Sequence, residues 1–265
     1  MREISLAELL KAGVHFGHQV SRWHPKMRPF IFTSRSGIYI IDLEKTSAAL
    51  KRAQQFVRER ALAGGVVLFV GTKRQARAIV QSAAVKLGMP YVVERWLGGT
   101  FTNFPTITKM TKRLSQLKAE RAHGGFAKYT KKEQLQFDDE ISRLERMVGG
   151  IERMERLPDA VFIVDLKQEK TAVREARKMK IPMMAITDTN VSPEGIDYPI
   201  PGNDDATKSI QIITDAIAEA AGEGKAEWEA RAKEGVVTAL DTKVPSEKIA
   251  KPDEVPGIEK QEAIV

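Results

Sequence analysis

The chain is built from blocks of apolar residues whose spacing alternates between that of buried strands and that of helices. Unbroken apolar runs of strand length lie at 66–70, 91–93, 160–165 and 182–187, as expected of strands that a sheet buries on both faces. Apolar residues with helical spacing lie between these runs and after the last one. They are found at 42–63, from Thr72 to about Leu87, from the end of the run at 160–165 to about Lys180, and from about Asp205 to Ala221. Buried strands that alternate with helices predict a parallel, doubly wound α/β sheet.

A different pattern interrupts this alternation between Phe104 and Leu157. Apolar residues there follow 3-4-3 spacing twice, and Lys, Arg and Glu fill the other positions; they are Ile107, Met110, Leu114 and Leu117, then Ile141, Leu144, Val148 and Ile151. Thr130 and Glu133, between the two sets, have the spacing of a capping box. We predict an antiparallel coiled-coil hairpin over residues 105–157, inserted into an α/β domain formed by 1–104 and 158–222.

The N-terminal region combines cations with aromatic residues. Ser5 is placed to cap a short helix that ends at Gly13, and two short strands follow with a turn at Ser36 and Gly37. Recognition of RNA combines phosphate pairing with stacking on flat side chains, so this region is a candidate RNA contact. The alternative is a set of ordinary core aromatics and solvated charges. The candidates here are Arg22, Trp23, His24, Lys26, Arg28 and Arg35.

Charge is distributed unevenly along the sequence. The formal net charge is +7, and residues 1–222 hold 35 basic against 25 acidic residues. This excess favours a polyanionic partner. Residues 223–265 hold seven basic and ten acidic residues and are predicted to form an acidic, flexible tail.

Cysteine is absent from the chain, which excludes disulfides, thiolate metal sites and cysteine nucleophiles and fits a reducing compartment. No apolar run approaches the roughly 20 residues that span a bilayer, and no secretory signal is recognisable. We therefore expect a cytoplasmic protein with no membrane partner.

A turn after the first buried strand is a candidate phosphate site. Gly71, Thr72, Lys73 and Arg74 precede a predicted helix, for which Thr72 and Gln75 have capping-box spacing. Backbone N–H groups at a helix N-terminus favour anions. The sequence lacks a G-x-G-x-x-G fingerprint and a P-loop, and three interpretations remain: an RNA phosphate, a nucleotide, or an ordinary helix start.

The loop at 188–205 contains four carboxylates at a position where doubly wound sheets bind ligands. Asp188, Asp197, Asp204 and Asp205 are suited to Mg²⁺ or to acid–base chemistry, or else they cap turns as part of a structural loop, with Asn203 and Asp204 at the start of the last helix. No Ser/His/Asp arrangement accompanies them. We expect no catalytic residue, cofactor or small-molecule substrate.

Two histidines raise the question of a metal. His15 and His18 are three residues apart, which suits one face of a helix, and with Asp188 they are candidate ligands. Two histidines alone complete no site, so the alternative is that both rings are hydrogen-bonded or stacked packing elements, and no metal is expected.

Seven motifs in order resemble the bacterial small-subunit ribosomal protein number two, the S-two family. They are GVHFGH at 13–18, WHPKM at 23–27, GIYIIDLEKT at 37–46, VLFVGTKRQA at 67–76, RWLGGTFTN at 95–103, PDAVFIVD at 158–165 and ITDTNVSPEGIDYPIPGNDDA at 186–206. They sample the chain from about residue 5 to 221.

The resemblance implies a flavodoxin-like, Rossmann-like α/β domain that bears a coiled-coil hairpin. It also implies a structural, non-enzymatic role in the small ribosomal subunit at the head–body junction. The implied partners are small-subunit ribosomal RNA, neighbouring small-subunit proteins and the mRNA-binding S-one protein, whose docking would link the chain to translation initiation. The full set of predicted RNA-binding residues adds Lys73, Arg74, Arg77 and Arg95 to the N-terminal candidates. A nucleotide-dependent enzyme and a regulatory RNA-binding protein outside the ribosome are the rival classes.

Overall fold

A five-stranded parallel sheet is the centre of the computed structural model, which describes residues 3–233. Its strands are β4 (Val67–Val70), β5 (Tyr91–Val92), β6 (Ala160–Ile163), β7 (Met183–Thr187) and β8 (Tyr198–Pro201). They lie in the order β5-β4-β6-β7-β8 and all pair in parallel. Numbered within the sheet, this is the 2-1-3-4-5 order of flavodoxin-like folds, and the predicted parallel α/β sheet is confirmed.

The fifth strand was not predicted. The sequence predicts a loop over all of 188–205, in which Asn and Asp cap turns and Pro and Gly fix the backbone. Strand β8 lies at the edge of the sheet. Proline has no N–H group, and on the solvent side of an edge strand no neighbouring strand requires one.

A second, smaller sheet holds the N-terminal region, after a short helix, α1 (Leu6–Lys11), that Ser5 caps through a capping box with Glu8. Its strands are β1 (Phe16–Gln19), β2 (Ile31–Arg35) and β3 (Ile38–Ile41), in the antiparallel order β1-β3-β2. The β2–β3 hairpin and the Ser5 cap are confirmed, whereas β1 was missed.

Helices cover both faces of the large sheet. They are α2 (Leu43–Leu62), α3 (Arg77–Leu87), α4 (Phe104–Ala122), α5 (Lys131–Val148), α6 (Lys170–Lys178) and α7 (Thr207–Lys233). Along β4, Val67 and Phe69 belong to one buried cluster with residues of α2, α3 and α7, while Leu68 and Val70 belong to another with residues of α4, α5 and α6. This alternation explains the unbroken apolar runs, because each strand face has its own core.

Helices α4 and α5 pack against each other with their predicted apolar positions inward. Leu114, Leu117, Ile141 and Leu144 are buried in one cluster, and Arg113 forms an ion pair with Glu140 across the pair. The predicted capping box of Thr130 and Glu133 begins α5. The coiled-coil character of this pair stays a prediction.

Two predicted helix ends are wrong. Helix α3 begins at Arg77 after Ala76, which makes no side-chain cap, and the Thr72 hydroxyl donates to Glu169 instead of capping with Gln75. Helix α7 continues past Ala221 to Lys233, since Lys225 donates to the Leu87 carbonyl and keeps the helix on the domain.

The start of the predicted acidic tail, 223–233, is therefore helical, and the remainder, 234–265, lies outside the described residues. Within residues 3–233, no helix is both long and apolar enough to cross a membrane.

Candidate nucleic-acid interface and acidic cluster

The N-terminal region is fixed across the carboxyl ends of the large sheet by backbone contacts with the loop after β7. The His18 N–H donates to Thr189 Oγ1 (2.8 Å), and the His24 N–H donates to the Thr189 carbonyl (2.7 Å). This approach needs Gly17, because a Cβ there would lie 2.5 Å from Thr189 Cγ2. The small sheet therefore lies over the edge where flavodoxin-like folds bind ligands.

Lys73 lies beside this edge and is surrounded by carboxylates. Its Nζ is 2.7 Å from Asp204 Oδ1, 2.7 Å from Asp205 Oδ1 and 3.3 Å from Asp165 Oδ2, and the side chain is 13% exposed. Burial lowers the pKa of Lys73, but hydrogen bonds to Asp204 and Asp205 outweigh it and raise the pKa above its ordinary value. Lys73 therefore stays charged, with its charge directed into the protein.

Asp204 holds an unusual position in this cluster. Burial, with Asp188 and Asp165 nearby, raises the pKa of its carboxyl to about 7 despite the hydrogen bond from Lys73. The prediction that Asp204 caps the last helix is wrong, since its carboxylate binds Lys73. The prediction for Asn203 is right, because its Oδ1 accepts from the N–H groups of Asp205 and Ala206.

His18 connects the N-terminal region to the same acidic cluster. Its Nδ1 lies 3.0 Å from Asp188 Oδ1, and its Nε2 lies 3.4 Å from Asp205 Oδ2 and 2.9 Å from Asn190 Nδ2. The hydrogen bond to Asp188 raises the pKa of His18. His18 thereby joins β1 to the loop after β7 through Asp188 and to the segment before α7 through Asp205.

His15 and His18 do not share a helix face, because His18 lies in strand β1 and His15 directly precedes that strand. His15 packs against Phe16 with ring centroids 4.0 Å apart, and burial lowers its pKa. The ligand atoms of His18, Asp188 and Asp205 lie within 4.8 Å of one another, a donor set that suits a divalent cation. Lys73 already supplies positive charge beside Asp205, and His15 is not part of the set.

The predicted phosphate turn is occupied by internal bonds. Glu169, which is buried, accepts from the N–H and the hydroxyl of Thr72, and burial raises the pKa of Glu169. The Thr72 carbonyl accepts from Arg77 Nε, and Arg77 also pairs with Glu94. These contacts explain the turn without a bound nucleotide.

The ten predicted RNA-binding residues fall into two groups. Five are exposed arginines whose guanidinium groups have no hydrogen bond or ion pair to any part of 3–233; they are Arg22, Arg28, Arg35, Arg74 and Arg95. The other five have protein partners. Lys73 and Arg77 bind the carboxylates described above, Lys26 pairs with Glu194, His24 Nδ1 accepts from the Lys26 N–H, and Trp23 packs on Tyr39.

Two residues with a role in this region were not predicted from the sequence. Glu175 is buried and accepts hydrogen bonds from Trp96 Nε1 and from the N–H groups of Gly99, Phe101 and Thr102. Burial raises the pKa of Glu175, but these hydrogen bonds outweigh it and lower the pKa below its ordinary value. The same bonds fix the loop that carries Arg95. Phe32 lies exposed on β2. The sequence pattern identifies neither residue, because Glu175 has the position of an ordinary acidic residue on a helix and Phe32 that of an ordinary apolar residue in a strand.

The sequence profile that describes ribosomal protein S2 matches residues 9–224 of the chain. The chain belongs to the ribosomal protein S2 family. It is 52% identical to the small ribosomal subunit protein uS2 of Acidothermus cellulolyticus over 237 residues, which cover 89% of this chain and 86% of the relative. It is 51% identical to the uS2 protein of Mycobacterium leprae and 50% identical to that of Nocardia farcinica, each over 84% of this chain and 81% and 79% of the relatives.

Membership of the ribosomal protein S2 family confirms the resemblance drawn from the motifs. It makes the chain a structural, non-enzymatic component of the small ribosomal subunit, a cytoplasmic particle that acts in translation. The carboxylates at the carboxyl edge are accordingly structural partners of Lys73 and His18, and the enzyme alternative is rejected.

Proposed function

We propose that this ribosomal protein S2 family member binds small-subunit ribosomal RNA at the head–body junction through its N-terminal sheet and the adjacent loops. The observation that carries the proposal is the set of five exposed arginines that have no side-chain partner within the described part of the chain, 3–233. A guanidinium group without a protein partner is available for bidentate pairing with a phosphate. Arg22, Arg28 and Arg35 belong to the N-terminal sheet region, so they form the principal contact.

The other predicted contacts have smaller parts in this interface. Lys73 and Arg77 position the turn that presents Arg74, and Glu175 positions the loop that presents Arg95. Trp23 and His24 hold the N-terminal region in place, and Lys26 is shared with Glu194. The cations that contact RNA are thus separate from the cations that support the fold.

The proposal is tested by the salt dependence of binding to small subunits from which this protein has been removed. Replacing Arg22, Arg28 and Arg35 together by Gln is expected to reduce the log–log slope of affinity against salt by roughly 2 to 3, since each lost phosphate contact removes about 0.7 to 0.9. A matched variant neutralises three exposed lysines that also lack side-chain partners in the described part of the chain: Lys86, Lys112 and Lys132. Equal slopes for the two triple variants would reject the N-terminal interface.

The same protein supports docking of the mRNA-binding S-one protein, and hence translation initiation, through the helix pair α4 and α5. Three cations of α4 form ion pairs, as Arg113 does with Glu140 and Arg121 does with Asp138, whereas Lys112 and Lys132 are exposed and lack a side-chain partner among residues 3–233. The case for a protein partner therefore rests on an exposed apolar side chain of this helix pair. Leu135, 63% exposed on α5, is an apolar contact for that partner.

The docking role is tested separately from RNA binding. Leu135→Glu is expected to lower the amount of S-one protein retained on washed small subunits while incorporation of this chain is unchanged. Val85→Glu, on α3 of the α/β domain, is the control, because Val85 is similarly exposed at 59%. Retention that is equal for both variants would reject the docking role of α5.

A further inference from the structure

Phe32 is held outside the core by a bulge in the small sheet. Its exposed fraction is 75%, although it lies within strand β2. On β2, Ile31 lies opposite Ile41 and Thr33 lies opposite Ile40, so Phe32 is the extra residue of an irregular register. A bulge re-aims a side chain, and this one directs the Phe32 ring to solvent.

The surroundings of Phe32 indicate what the ring contacts. Strand β2 is an edge strand, so one side of it is open. Arg28 precedes the ring by four residues, Arg35 follows it by three, and both guanidinium groups are exposed and unpaired among the described residues. A flat apolar face, with an exposed cation on each side of it in the sequence, combines the two elements that proteins use for single-stranded nucleic acid.

We propose that Phe32 is a stacking platform for an unpaired base of ribosomal RNA. This inference rests on the proposed RNA-binding function and adds the class of RNA that the N-terminal sheet binds. Bases within a duplex are stacked on each other and cannot lie on a side chain, whereas loop and bulge bases are free to do so. The sheet therefore binds a loop, a bulge or a strand end, with Arg28 and Arg35 on the flanking phosphates.

The other aromatic residues of the region are less suited to this role. Trp23 and Tyr39 pack on each other with ring centroids 5.1 Å apart, and Phe16 is in contact with His15. Phe32 has no ring or cation–π partner within residues 3–233. Its face is thus available for a base without rearrangement of the protein.

The experiment measures binding of the full chain to small subunits stripped of this protein, with Phe32→Ala, Phe32→Tyr and Val85→Ala compared with the unaltered chain. Phe32→Ala is expected to weaken binding roughly 5- to 150-fold, the range for loss of one stacked base. Its salt slope is expected to stay unchanged, because no phosphate contact is lost. Phe32→Tyr keeps a flat ring and is expected to restore binding, and Val85→Ala is expected to bind normally.

Ultraviolet crosslinking supplies a second readout, with the crosslinked peptide mapped by mass spectrometry. A crosslink between an RNA base and the peptide that contains Phe32 supports stacking, and a crosslink of that peptide to protein overturns it. Normal affinity of Phe32→Ala, together with a reduced slope for the triple arginine variant, would overturn the platform and leave the RNA-binding function standing. Unchanged slopes for the arginine variant would reject the proposed function itself. Equal unfolding midpoints for all variants exclude loss of fold as the cause.

Discussion

Lys73 Nζ lies 2.7 Å from Asp204 Oδ1, although the two residues are 131 positions apart in the chain. The contact joins the turn after β4 to the segment between β8 and α7. Both residues had been given other roles from the sequence, Lys73 as a phosphate ligand and Asp204 as a helix cap. Their contact shows that the carboxyl edge of the sheet is held together by internal charge pairing.

Lys73→Met is expected to destabilise the protein rather than weaken RNA binding directly. Removal of one partner from a largely buried ion pair costs about 3 kcal/mol, and here it leaves Asp165, Asp204 and Asp205 without their shared cation. The free energy of unfolding in urea measures the effect. Arg74→Met is the matched control, since Arg74 is exposed and unpaired in the described chain, and it is expected to lower the RNA salt slope with little change in stability. A lower RNA salt slope for Lys73→Met, with stability unchanged, would instead mean that Lys73 contacts RNA.

Stability is expected to fall as the pH rises toward and through neutrality. The folded state raises the pKa of Asp204 from 3.8 to about 7, so the native protein binds a proton that the unfolded chain has released. This contribution is fully present below the unfolded pKa and is lost as the pH rises through about 7. His18 acts in the same direction, since its pKa is also raised on folding.

Urea unfolding across this pH range measures the dependence, and Asp204→Asn is expected to flatten it. Asp139→Asn, at an exposed position of α5, is the control and is expected to leave the dependence unchanged. If the free energy of unfolding of Asp204→Asn still falls with rising pH as in the unaltered chain, a group other than Asp204 is responsible for the pH dependence.

Leu114→Ala and Leu144→Ala are each expected to cost about 2 to 5 kcal/mol of stability, since both side chains are buried between α4, α5 and the sheet and each truncation leaves a cavity. The measurement is equilibrium unfolding. Leu135→Ala changes the same residue type on α5 at an exposed position and is expected to stay within about 0.5 kcal/mol. Similar values for all three variants would mean that the packing of α4 and α5 does not stabilise the domain.

Glu175→Gln is expected to cost about 1 to 3 kcal/mol, the range for a buried hydrogen-bonding group left unsatisfied. Both oxygens of Glu175 accept hydrogen bonds from N–H groups. An amide in either orientation places its NH₂ group against N–H donors. Thermal unfolding with near-ultraviolet circular dichroism of Trp96 measures the change, and Glu219→Gln, exposed on α7, is the control. An unperturbed Trp96 signal would contradict the role of Glu175 in fixing the loop.

Local patterns in the sequence determined most of the elements. The apolar runs located β4, β6 and β7 because their residues are buried on both faces, and capping residues located the starts of α1 and α5 because a cap is a contact within four residues. Seven motifs in order determined the family. The charge excess of residues 1–222 indicated a polyanionic partner before any contact was known.

Only the tertiary structure decided which charged residues face solvent. Lys73 and Arg74 are neighbours with the same charge, yet Lys73 binds three carboxylates from distant segments and Arg74 has no side-chain partner among residues 3–233. The exposure of Phe32 depends on how β2 pairs with β3, and the acceptor role of Glu175 depends on a loop more than 70 positions away. These properties arise from contacts between segments that are remote in sequence, and periodicity and capping report only on residues within a few positions of each other.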